Sequence, residues 1–159
     1  MTHSISSLLE EILRLAPEAG RFMVGISGPP GAGKSTLSDA LRDALIAHGE
    51  TAEILPMDGF HMHNGILEER GLLPRKGAPE TFDVRGFLDI VTAVKPGDEE
   101  VLVPVFARSR ELAIASARAI SPATRFILVE GNYLLLDQAP WTRLAPCFDL
   151  TLFVGPPLE

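Results

Sequence analysis

Residues 28–35 read Gly28-Pro29-Pro30-Gly31-Ala32-Gly33-Lys34-Ser35. They set flexible backbone, a primary amine and a hydroxyl in the order G-x-x-x-x-G-K-[ST], which cradles the phosphates of a nucleoside triphosphate. Gly28, Gly31 and Gly33 let the loop turn its amides inward, that of Ala32 included, around an anion. Lys34 is expected to reach the β- and γ-phosphates, Ser35 to place its hydroxyl on Mg²⁺, and Thr36 to add a phosphate contact from the first helical turn. The context supports this chemistry over a ligand-free glycine turn. Phe22-Met23-Val24-Gly25-Ile26-Ser27 is an apolar run of strand length, and Leu37, Ala40, Leu41, Ala44 and Leu45 recur at helical spacing. A helix N-terminus therefore follows the loop and adds a partial positive charge where the anion rests.

A metal on such a loop needs an acid at the carboxyl end of a neighbouring strand. Phe126-Ile127-Leu128-Val129-Glu130 and Tyr133-Leu134-Leu135-Leu136-Asp137 both end in one. Gly131-Asn132 is a natural break between them, which favours Glu130 at the strand end and Asp137 beyond the site. Asp149 precedes its strand and falls at the wrong edge. Asp58 follows the second strand directly, and its carboxylate is expected over the same edge. There it would orient an acceptor hydroxyl and take its proton. Asp58-Gly59 as a plain turn is the alternative, preferred only if the phosphate loop is ignored.

A GTPase is the competing class. Asp83-Val84-Arg85-Gly86 matches D-x-x-G, but no apolar strand precedes it and no N-K-x-D for guanine occurs. A non-catalytic, ATP-driven regulatory module stays open on these motifs. Residues 58–64, a polar loop that a pure switch does not require, favour transfer to an acceptor.

With 159 residues, 46% of them hydrophobic, the chain is expected to form one domain over residues 1–159. Its 14 basic and 21 acidic residues leave a net charge of -7, and no basic run tracks a nucleic-acid backbone, so nucleic acid is not an expected partner. Cys147 stands alone, Met1-Thr2-His3-Ser4 lacks the features of a signal peptide, and no apolar stretch is long enough to span a membrane. A cytoplasmic location is the expectation.

The elements needed to position the chemistry follow from periodicity. Ser4 caps a helix to Ala16 with Ile5, Leu8, Leu9, Ile12, Leu13 and Leu15 on one core-facing side, and Pro17 ends it. Strands are predicted over 51–56, 101–106, 125–130 and 149–154, with Pro104 placing its strand at an edge. Asp83 caps a helix carrying Val84, Phe87, Leu88, Val91 and Val94, and 141–144 forms a short helix. The alternation predicts an α/β chain: a three-layer phosphate-loop NTPase fold with a doubly wound, mainly parallel sheet.

Four blocks together resemble the phosphoribulokinase, uridine kinase and bacterial pantothenate kinase family: the phosphate loop, Met57-Asp58-Gly59-Phe60-His61, Arg75-Lys76-Gly77-Ala78-Pro79-Glu80-Thr81-Phe82-Asp83, and Val129-Glu130-Gly131-Asn132-Tyr133. They span most of the chain. Within the family the likeness points to small bacterial proteins described as fructose transport system kinases, and the third block also to pantothenate kinases. The resemblance implies that Asp58 is the catalytic base and Glu130 the acid near Mg²⁺. It further implies that His61, Lys76, Arg108 and Arg110 line the acceptor pocket; solvated surface arginines are an equally weighted reading of the last two. His61 and His63 lack a third ligand and read as polar loop residues rather than a metal pair.

Lys76-Gly77 stands where uridine kinases carry an acid for the ribose hydroxyls, which disfavours uridine. Relatives also continue past the last strand into a basic helical lid, whereas this sequence stops at Pro156-Pro157-Leu158-Glu159. The expectation is that the sequence is a truncated product or that closure comes from Arg108, Arg110 or a neighbouring subunit, with nucleotide binding but feeble turnover following from a missing lid. The combined reading is ATP- and Mg²⁺-dependent phosphorylation of a hydroxyl on a small polar metabolite. A sugar is favoured, pantothenate or a nucleoside is the alternative, and oligomeric state is left open.

Overall fold

The computed structural model describes residues 4–155. The expected features at residues 1–3 and 156–159 lie outside that range. Helix α1 (Ile5–Leu15) starts where predicted: Ser4 is extended, and its hydroxyl accepts from the Ser7 amide at 3.1 Å. It ends at Leu15, which is 41% exposed rather than on the core-facing side, because the packed stripe runs through Ile5, Leu8, Leu9, Ile12, Leu13 and Ala16, and Leu15 falls on its flank.

Strand β1 (Phe22–Ser27) is buried along its whole length, as befits a parallel strand covered on both faces. It leads through the phosphate loop into α2 (Lys34–Ala47), and β2 (Ala52–Pro56) follows. A 3-10 turn, Met57–Phe60, opens the predicted polar loop, and a short helix α3 (Asn64–Glu69) begins where that loop ends; the His63 ring caps α3 by accepting from Gly65 N at 3.2 Å. Next comes α4 (Val84–Val94), where Asp83 Oδ1 accepts from Gly86 N at 2.9 Å, the expected cap.

Strand β5 (Phe126–Gly131) runs parallel to both β1 and β2, and β6 (Leu150–Phe153) parallel to β1 on its other side. The sheet order is β2-β5-β1-β6. Alternate residues build two cores. Phe22, Val24, Ile26, Phe126 and Leu128 pack with Ile12, Leu41 and Leu45 under α1 and α2. Met23, Ile127 and Val129 pack with Phe87 and Val91 of α4 on the opposite face. Helices on both faces of a parallel sheet make the three layers. No helix among the described residues is long and apolar enough to cross a membrane.

One element departs from the periodicity. Strand β3 (Val101–Ala107) pairs antiparallel with β4 (Leu112–Ile120), a strand absent from the sequence reading, and the hairpin stands apart from the main sheet. The β4 segment Leu-Ala-Ile-Ala-Ser-Ala-Arg-Ala-Ile is largely exposed, alanine-rich and interrupted at Ser116 by a φ of 51°. Its small side chains carry little strand preference, so the pairing comes from β3. Pro104 lies where the register shifts between Val103 and Val105, and the missing amide is accommodated there. The 141–144 segment is a 3-10 turn, Trp141–Arg143.

Two close approaches hold the hairpin and the strand ends together. A Cβ on Gly59 would lie 2.5 Å from the Pro104 carbonyl oxygen, and one on Gly131 would lie 2.5 Å from Met57 Cβ and 2.7 Å from its Sδ. Gly131→Ala is expected to force β5 away from the Met57 turn and to cost about 1–3 kcal/mol. Urea denaturation of the variant against the parent checks this; an unchanged midpoint would refute the close-packing argument.

Candidate active site

Because β5 lies between β1 and β2, Ser27 is level with Gly131, and Glu130 is level with Pro56. The residues that follow the three strands therefore meet at one edge. They enclose a cavity of about 600 Å³ whose lining includes Lys34, Ser35, Thr36, Asp58, Arg108 and Glu130.

The phosphate loop is shaped by its glycines. Gly31 and Gly33 have φ of 76° and 94°, in the left-handed region, and a Cβ on either would meet no atom within 4 Å. Open space beside strained-for-others backbone is what a cradle for a ligand requires. Gly28 serves differently: it is buried, and a Cβ there would collide with the Val154 carbonyl. The Ala32 amide turns back onto the Pro29 carbonyl at 3.3 Å. Among the described residues no backbone carbonyl accepts from the amides of Gly31, Gly33, Lys34, Ser35 or Thr36. Gly33, without a side chain, caps α2, so the helix start presents free donors and its positive dipole end to the cavity.

Lys34 Nζ donates to the Pro29 carbonyl at 3.0 Å. Burial lowers its pKa, against the raising influence of the Glu130 and Asp58 carboxylates, and the positive charge of Arg108 lowers it further. The Ser35 hydroxyl donates to Glu130 Oε1 at 3.1 Å, and that of Ser38, one turn on, to Glu130 Oε2 at 3.0 Å. A hydroxyl and a carboxylate side by side form a hard oxygen donor set suited to Mg²⁺. Asp137 is exposed beyond the cavity, while Asp149 accepts from the Met23 amide at 2.7 Å at the opposite edge of the sheet.

In the same lining, Asp58 Oδ2 accepts from Arg108 Nη2 at 2.6 Å. Arg108 sits in the turn of the β3–β4 hairpin with a side chain 74% exposed. His61 lines the same space; its Nδ1 lies 2.7 Å from the Asp58 carbonyl oxygen, and its ring packs on Phe82 and Phe106 with centroids 4.2 and 4.6 Å away. Lys76 and Arg110 do not line the cavity. Lys76 Nζ donates to Asn64 Oδ1 at 2.9 Å and the Glu111 carbonyl at 3.1 Å, tying α3 to the hairpin turn. Arg110 is exposed in that turn.

Sequence reasoning missed Ser38, which is fully buried beneath Glu130. The available signal was a polar residue three before Leu41 and seven before Leu45, on the apolar stripe of α2. It also missed how residues 73–82 reach the site. Tyr133 donates its hydroxyl to the Gly77 carbonyl at 2.6 Å and packs edge-on against Phe82, which brings Gly77 and Phe82 to the cavity wall.

A parallel sheet with this loop and these acids at its carboxyl edge defines a phosphate-loop NTPase fold, and comparison with known proteins narrows the class. The chain is 45% identical to a solved structure from Silicibacter sp. TM1040 described as a "putative fructose transport system kinase", with a TM-score of 0.90 over 96% of this chain and 74% of that one. It is 32% identical over 161 residues to a "putative uridine kinase" of Schizosaccharomyces pombe, covering 95% of this chain and 67% of the relative. A pantothenate kinase of Leifsonia xyli subsp. xyli is 34% identical over 157 residues, 96% of this chain and 49% of the relative. The chain belongs to the phosphoribulokinase, uridine kinase and pantothenate kinase-like family of phosphate-loop kinases.

It spans about half the length of the curated pantothenate kinases it matches. The family model of the methylmalonyl Co-A mutase-associated GTPase MeaB also matches, over residues 2–80. That match covers the phosphate loop and ends well before Glu130.

Tyr133 is the chain's single tyrosine, so its phenol can be followed without interference. Burial raises its pKa above the ordinary 10.0, and the Glu80 carboxylate adds to the shift. An alkaline absorbance titration of the folded protein is expected to show ionisation above the denatured chain's value. Its stabilising contribution is fully present below the unfolded value of about 10 and is lost as pH rises through the folded one. Coincident titrations in the two states would contradict the placement.

Proposed function

We propose that this chain carries out ATP- and Mg²⁺-dependent transfer of a phosphoryl group to a hydroxyl of a small polar metabolite, a sugar being the favoured class. The observation that carries the reading is a single cavity lined by the phosphate loop, by Glu130 beside Ser35, and by Asp58. A purely nucleotide-hydrolysing switch has no need of the last. The names of the relatives, kinases of pantothenate, uridine and a fructose transport system, support small-metabolite transfer without selecting among them.

In this reading the free loop amides and Lys34 bind and orient the phosphates, and the N-terminus of α2 stabilises their charge. Ser35 and Glu130 would hold Mg²⁺, which would neutralise charge on the phosphates. Thr36 supports the phosphates from the next position. Asp58 orients the acceptor hydroxyl and takes its proton as the hydroxyl oxygen bonds to the γ-phosphorus, while the bond from that phosphorus to the bridging oxygen breaks and ADP leaves with the electron pair. Arg108 occupies one Asp58 oxygen and leaves the other for the hydroxyl, while His61, held between Phe82 and Phe106, offers a polar edge to the acceptor. Lys76 acts at one remove, by fixing the hairpin turn that carries Arg108. Arg110 is retained as a candidate contact from that same turn.

The test is ATP consumption with Mg²⁺ across sugars, nucleosides and pantothenate, with the phosphorylated product identified by mass spectrometry. One acceptor is expected to raise turnover well above the water background; hydrolysis alone with every acceptor would refute transfer. Asp58→Asn is expected to lower turnover by about 10²–10⁴-fold with ATP affinity unchanged, and nearly normal turnover would remove Asp58 as the base. Loss of charge-assisted contacts in Lys34→Ala is expected to weaken ATP binding by roughly ten- to a hundredfold in calorimetric titration. Unaltered affinity would count against the phosphate-loop assignment.

A further inference from the structure

We propose that Ser38 is a positioning residue for Glu130, holding one carboxylate oxygen so that the other is presented toward the metal and the phosphate loop. The inference rests on the reading above that Glu130 helps hold Mg²⁺.

Glu130 is clamped by two hydroxyls of α2, one per oxygen. Ser35 Oγ donates to Oε1 at 3.1 Å, and Ser38 Oγ to Oε2 at 3.0 Å. The two serines are not equivalent. Ser35 faces the cavity and is exposed, whereas Ser38 is wholly buried between α2 and the sheet. A buried hydroxyl on a helix commonly back-bonds to the carbonyl four residues earlier, and Ser38 does lie 2.9 Å from the Lys34 oxygen. It has one proton for two acceptors. The ionised carboxylate is the stronger of them, and the Lys34 carbonyl lies in the α2 backbone ladder.

Three torsions separate a glutamate carboxylate from its backbone, and each unfixed torsion would spread its oxygens over several directions. Burial of Ser38 on a rigid helix removes that freedom at Oε2. Outer partners of this kind tune metal sites through the ligand they hold rather than by touching the metal.

The test is Mn²⁺ titration of the nucleotide-bound protein, followed by electron paramagnetic resonance, for the parent, Ser38→Ala, Ser38→Cys and Glu130→Gln. Ser38→Ala suits a helix interior, and Ser38→Cys keeps nearly the same volume with only a weak donor, so a packing defect and a lost hydrogen bond are told apart. Both are expected to weaken Mn²⁺ binding by roughly 10- to 100-fold, with metal-free nucleotide affinity unchanged. The requirement for Mg²⁺ in turnover should rise in parallel, with turnover recovering at saturating metal. Adding Ser38→Ala to Glu130→Gln should cause little further loss, because both act through one carboxylate. Parent-like Mn²⁺ affinity in both Ser38 variants while Glu130→Gln loses it would overturn the positioning role and leave the metal reading standing. Parent-like affinity in Glu130→Gln would overturn the metal reading and this inference together.

Discussion

The structure depends on one topological constraint: β5, which comes late in the chain, inserts between β1 and β2, which come early. The chain leaves β1, crosses to β2 and leaves a gap one strand wide, and only an apolar strand buried on both faces can fill it. Phe126, Ile127, Leu128 and Val129 are all fully buried there. Filling the gap joins the two cores across the sheet. It also brings the ends of three strands level, so the chemistry of three distant segments is assembled as a consequence of packing.

The site inherits its rigidity from that insertion. Glu130 is the last but one residue of β5, and Gly131 allows the Met57 turn to lie against the strand end without an intervening side chain. Asp58 and Glu130 thereby line one cavity together with the phosphate loop. The hairpin is anchored at its base, where Val101, Val103 and Ile120 are buried in the same core as Ile127 and Val129. Its turn meets the site through the Arg108–Asp58 ion pair and Lys76, and its outer strand is largely exposed.

Charge is arranged with the same economy. Lys34, Arg108, Asp58 and Glu130 face one another across about 600 Å³, two of each sign. Their fields oppose each other at Lys34, where burial is the largest influence and the carboxylates act against it. In the proposed reading, a polyphosphate with its metal would change this balance next to Ser35 and Glu130, and the surroundings of Asp58 and His61 would be left to the acceptor.

Much of this was legible in residue order. The phosphate loop, the strand before it and the helix after it are local in sequence, and so are the caps at Ser4 and Asp83; each depends on groups within a few residues of one another. The position of Glu130 at the carboxyl end of β5, with Asp137 beyond the break, was also readable, because strand length and the position of that break decide it. Strand β4 was not, since alanines on an exposed strand adopt it only when β3 supplies the hydrogen bonds. Nor was Ser38, whose role appears once α2 packs on β5 and a hydroxyl meets a carboxylate ninety-two positions away. The cavity wall at Gly77 and the withdrawal of Lys76 into contacts with Asn64 and Glu111 depend likewise on distant partners. Sequence by itself determined the chemistry that local backbone and periodicity encode. Tertiary structure decided which distant side chains share the cavity, because that follows from strand order and close packing, which no short stretch of residues contains.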